Sequence, residues 1–111
     1  MDKEKIKLAE KDNDGQSLYL YYDNMVGAYL AYGLSAYYST MVTDPYLLYS
    51  EEVEMPVALL KLEKIKFLRS KLTKMEHLPK SYYSFKLQNF VGDAGYEKWL
   101  KRNFPEYVDE D

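Results

Sequence analysis

The sequence predicts an α+β fold in a single domain: a small, mostly antiparallel sheet with about three helices packed on it. Two kinds of periodicity and one composition argument predict it. Leu18 to Tyr22 and Ser81 to Leu87 alternate apolar and polar faces with the period of a strand. Leu34 to Val42, Lys61 to Met75 and Ala94 to Phe104 carry apolar residues at helical spacing. A chain of 111 residues that is 47% hydrophobic holds about one domain's worth of core.

Residues 1–16 read as a polar arm, frayed or briefly helical, with Ile6, Leu8 and Ala9 its only apolar residues after Met1. Within it, Glu10 to Gly15 copies the opening of a calcium loop. The twelfth position, which should supply a bidentate carboxylate, is Tyr21, and the stretch is read as a polar turn. In the first strand Leu18, Leu20 and Tyr22 share one face and Tyr19 and Tyr21 the other. Asp23-Asn24 tolerates positive φ and predicts a two-residue hairpin loop, with Met25 to Tyr32 as the partner strand. After Gly33 the period becomes helical, and Leu34, Tyr37, Tyr38, Met41 and Val42 form the expected buried stripe, stopped at Asp44-Pro45.

Tyr46 to Tyr49 is a short strand candidate, followed by the solvated acidic connector Glu51 to Glu54. Val57 to Leu60 is a compact apolar run suited to a buried strand. In the helix expected over residues 61–75, Leu62, Ile65, Leu68, Leu72 and Met75 form the stripe. His77 is then expected at its C-terminus, beside the breaker Leu78-Pro79. Asp93 is the expected N-cap of the last helix, whose stripe is Tyr96, Trp99, Leu100 and Phe104. The acidic tail runs over residues 106–111. Most of the thirteen tyrosines fall at strand or stripe positions, which favours packing over a base-stacking platform.

Composition bounds the chemistry. There is no cysteine, so disulfides, iron–sulfur clusters and thiolate zinc sites are excluded. No apolar run approaches the ~18 residues that span a bilayer, and a soluble cytoplasmic protein without membrane association is expected. No phosphate loop or dinucleotide fingerprint occurs, and no cofactor is implied.

Charge is distributed unevenly. Residues 1–60 carry four Lys and ten acids (net −6), residues 61–102 eleven Lys or Arg and four acids (net +7), and residues 103–111 four acids (net −4). Such a layout serves a partner, or balances the halves of the fold against each other. The expected function is a non-catalytic binding or interaction module, acting on an unknown protein partner or through self-association. One alternative is weak, sequence-nonspecific nucleic-acid binding through phosphates by Lys64, Arg69, Lys71, Lys98, Lys101 and Arg102, with the acidic tail folding back as an internal competitor. The other is a small hydrolase or metal enzyme using the lone His77 with the acids around Glu51.

Met25-Val26-Gly27-Ala28-Tyr29-Leu30-Ala31-Tyr32 with its following helix, and Met55-Pro56-Val57-Ala58-Leu59 with a second helix, resemble the N-terminal mismatch-recognition domain of the DNA mismatch-repair protein MutS. The resemblance covers about residues 18–72 and implies an α+β nucleic-acid-binding fold. The positions matching that family's Phe-x-Glu wedge are Ala28 and Leu30, so mismatch reading is not carried over.

Overall fold

A strand with Leu18 and Leu20 on one face needs neighbours on both edges to bury its backbone, and it has them. In the computed structural model, which describes residues 3–78 and 81–108, β1 (Ser17–Asp23) pairs with β2 (Ala28–Tyr32) on one side and β6 (Tyr82–Lys86) on the other. Adding β3 (Tyr46–Ser50), β4 (Met55–Leu60) and β5 (Thr73–Leu78) gives a six-stranded antiparallel sheet in the order β3-β4-β2-β1-β6-β5. Four helices accompany it: α1 (Lys3–Lys11), α2 (Leu34–Val42), α3 (Leu62–Lys71) and α4 (Tyr96–Asn103), with a 3-10 turn at Pro105–Tyr107. The expected breaker at Pro79 and the end of the acidic tail, Asp109 to Asp111, lie outside the described residues.

The strand registers sort the side chains into two faces. Leu18, Leu20, Ala31, Ala58, Leu60, Tyr83 and Phe85 are buried on the first, where Ala36 and Tyr38 of α2, Ile65 and Leu68 of α3, and Trp99 of α4 complete the core. The second face carries Tyr19, Tyr21, Tyr32 and Tyr82, half-buried and in mutual ring contact at 5.4 to 6.5 Å. Tyrosine suits both faces because its ring packs while its hydroxyl reaches water or a carbonyl. Tyr38 shows this best: fully buried, it donates its hydroxyl to Gly92 O at 2.7 Å, tying α2 to the segment that leads into α4.

Five elements differ from expectation, each for a local reason. The arm takes the helical of its two expected states over residues 3–11, but instead of fraying α1 packs at the end of the sheet where β2 finishes and β4 begins, with Ile6 and Glu10 buried. The hairpin loop is longer than two residues. Asp23 Oδ1 accepts from the amides of Met25 and Val26, and the positive φ falls on Gly27 (72°), so Met25 and Val26 form the tip instead of strand. In α2 the buried residues are Ser35, Ala36, Tyr38 and Ser39, while Met41 is exposed; the small face lets the helix approach the sheet closely. α3 stops at Lys71, and Thr73 to Leu78 pairs with β6, with a bulge at Met75. His77 is therefore on an edge strand, not at a helix terminus, and Leu62 and Met75 are exposed. Finally, α4 is capped by Gly95 without a side-chain bond, and Asp93 contributes only its carbonyl, to Tyr96 N.

Leu20→Ala is expected to cost ~3 kcal/mol in urea unfolding, because its site is sealed on every side. Met25→Ala, at a tip residue 98% exposed, should stay within ~0.5 kcal/mol of the parent.

Candidate functional site

The end of α2, the exposed side of α3 and the segment after β6 do not close on one another. They leave a groove of about 360 Å³ lined by Met41, Val42, Phe67, Lys71, Leu72, Leu87, Gln88, Asn89 and Val91. Leu72 and Leu87 are buried in the main core cluster, whereas Met41 and Phe67 stand 48% and 41% exposed. An apolar concavity with a few convergent polar groups is the usual form of a small binding site. Gln88 Nε2 donates to Lys71 O at 3.2 Å and joins two sides of the groove. A neighbouring hollow of about 400 Å³ shares Phe67 and is lined by Thr43, Asp44, Glu63 and Lys64.

The structure distributes the six candidate phosphate-binding cations over these elements. Lys71 lines the groove and Lys64 the hollow, while Arg69 is exposed on the same helix. Lys98, Lys101 and Arg102 are exposed on α4, which packs on α2 through Tyr37 and Trp99. Of the acidic tail expected to fold back over these cations, residues 106–108 are described. Tyr107 stacks on Tyr49 of β3 at 4.1 Å.

The hydrolase constellation is not assembled. Glu51 to Glu54 form the turn between β3 and β4 at one edge of the sheet, and His77 lies on β5 at the opposite edge. Five strand spacings separate them, on the order of 24 Å. His77 is stacked on Tyr83, with ring centroids 4.0 Å apart. Among the described residues no group of three or more His, Asp or Glu side chains is placed to hold a metal ion. Two residues of the calcium-like stretch are instead spent within the turn. Asn13 Oδ1 accepts from Gly15 N, and Asp14 accepts from Gln16 N, Ser17 Oγ and Lys86 Nζ, the last at 2.8 Å. That bond with Lys86 lowers the Asp14 pKa to about 2.

Glu10, the first acid of that stretch, has a role that spacing did not reveal. Gly33, at φ 56°, caps α2 without a side chain, so the first-turn amides need a partner from elsewhere. Glu10 supplies it: Oε1 accepts from Ser35 N at 3.0 Å and Oε2 from Ser35 Oγ at 2.7 Å, while Ser35 Oγ itself accepts from Tyr19 N. A side chain at position 33 would press on Glu10 Cγ and on Met55 Sδ. Burial pushes the Glu10 pKa up to about 7 against the lowering effect of these bonds; Lys7, Lys11 and Asp93 line the same hollow.

Ala28 and Leu30, the positions matching the MutS wedge, are buried in β2. No helix among the described residues is long and apolar enough to cross a membrane. No protein-family model matches the chain, and no curated protein or solved structure does either.

Folding raises the Glu10 pKa from 4.5 to about 7, so the folded state holds this proton more tightly than the unfolded one. The stability it contributes is complete below pH 4.5 and is lost as pH rises through 7, by at most about 3 kcal/mol. Denaturant unfolding of the parent at pH 5 and pH 8 should show this fall, and Glu10→Gln should flatten it. An equal slope in both proteins would remove Glu10 as its cause. Asp14 acts only below about pH 4 and with the opposite sign, so the two windows do not overlap.

Proposed function

We propose that this chain is a non-catalytic interaction module that receives an apolar side chain of a protein partner in the groove between α2, α3 and the segment after β6. The observation that carries the reading is the groove itself, with exposed Met41 and Phe67 at its lips above a floor of buried Leu72 and Leu87. Exposed apolar residues grouped around a concavity favour a partner's anchor residue, whereas singly scattered ones have no such meaning. The volume suits one or two side chains rather than an extended cofactor.

Phosphate-led nucleic-acid binding through the same helix predicts a different salt response. Affinity that rests on released counterions falls steeply between ~50 and ~200 mM salt. Insertion of an apolar anchor does not.

Peptides selected from a random library on the full chain should therefore lose about tenfold in affinity with Phe67→Ala and retain most of it at high salt. Far-UV circular dichroism checks that the variant remains folded. Selected peptides indifferent to Phe67→Ala and to Met41→Ala would overturn the groove as the binding site. Binding of an oligonucleotide that fades with salt and is unaffected by either change would move the function to the phosphate reading.

A further inference from the structure

Phe67 is a large apolar residue on the solvent side of a helix whose buried positions are Ile65 and Leu68. Lys64 precedes it by three residues and Lys71 follows it by four, the spacings that bring side chains together on one helix face. Lys71 Nζ stands 5.7 Å from the centroid of the Phe67 ring, which places a positive charge directly at the groove's lip. Across α3 as a whole, Lys64, Lys66, Arg69 and Lys71 oppose the single acid Glu63.

Charges around the two cavities are not equivalent. The hollow is lined by charges of both signs, Lys64 together with Asp44 and Glu63. In the groove Lys71 is the one charged lining residue, accompanied by the neutral amides of Gln88 and Asn89. Among the described residues, no acidic one lines the groove to offset this charge beside the apolar floor. From this we infer that the natural occupant is an acidic peptide segment of a protein partner, with an apolar anchor entering the groove and an adjacent Asp or Glu side chain reaching Lys71. This rests on the groove reading and deepens it by naming the partner's chemistry.

The lining also distinguishes this occupant from a nucleic-acid base inserted into the groove. Bases need aromatic faces to stack upon. Here the lips and floor are Met41, Val42, Leu72, Leu87 and Val91, aliphatic side chains that pack against another side chain, with Phe67 the one aromatic ring among them. The Gln88 and Asn89 amides offer donors and acceptors to a peptide backbone lying along the groove. Charge complementarity at such a rim acts on encounter rate and on partner choice more than on total affinity.

The test uses the full chain and three fluorescent peptides of the same length. Each has a central Leu-Phe pair, flanked on both sides by Glu in the first, Gln in the second and Lys in the third. Fluorescence anisotropy at ~100 mM salt should rank them Glu, Gln, Lys, with about two- to fivefold between the first two. Lys71→Gln should bring the ratio of Glu-peptide to Gln-peptide affinity, both measured on the variant, to about one, and Lys71→Arg should restore the advantage of Glu. Equal binding of the Glu and Gln peptides to the parent would overturn the acidic-partner inference and leave the groove reading standing. Failure of all three to bind would overturn both. An advantage for Glu that survives Lys71→Gln would place the recognising cation elsewhere and overturn the role assigned to Lys71.

Discussion

The arrangement depends on one strand being paired along both edges. β1 has β2 and β6 beside it, and its Leu18 and Leu20 are completely buried between their cross-strand neighbours and the helices above. In the middle of a sheet every backbone group finds a ladder partner, and side chains of the favoured face are removed from water on all sides. With that face committed to the core, Tyr19 and Tyr21 are directed to the other. The phenols of Tyr21, Tyr32 and Tyr82 gather there, and burial raises their pKa values above the ordinary phenol value.

The groove is a by-product of how the first face is covered. α2 can approach the sheet because it presents Ser35, Ala36 and Ser39, but this leaves its larger residue Met41 outside. α3 ends at Lys71, and the chain turns immediately into β5. A longer α3 would carry Leu72 and Met75 along one apolar stripe; the short one leaves Leu72 at the base of an open space beside Phe67. The groove and the unexpected edge strand therefore have the same origin, the early end of α3.

Glu10 illustrates how a buried charge is tolerated. α2 starts at a glycine and lacks a capping side chain of its own, and a carboxylate from another helix satisfies its first-turn amide. The positive end of a helix favours an anion, while removal from water disfavours one. Here desolvation is the larger effect, and the carboxyl is held near the midpoint of its titration at neutral pH. The contact also fixes α1 against the end of the sheet, turning a charged segment into part of the fold.

Local periodicity determined the class of this fold and most of its elements. The α+β architecture, the span Leu34–Val42, and the strands beginning near Leu18, Tyr46, Val57 and Tyr82 were legible because each is specified by residues close together in the chain. What tertiary structure decided was every choice between two locally acceptable states. Thr73 to Met75 fits the end of a helical stripe, yet Thr73 to Leu78 forms a strand because the open edge of β6 offers a ladder of hydrogen bonds. Residues 3–11 carry too few apolar groups to predict a buried helix, and Glu10 finds its partner 25 residues away. Local patterning did not single out the groove, although Phe67 is an aromatic residue off the buried stripe, three residues after Lys64 and four before Lys71. Its other walls, Met41, Leu87 and Val91, come from separate elements and meet only when the sheet brings them together. Spacing along a chain records which residues share a face; which faces meet is decided by the competition among all of them for burial and for hydrogen-bond partners.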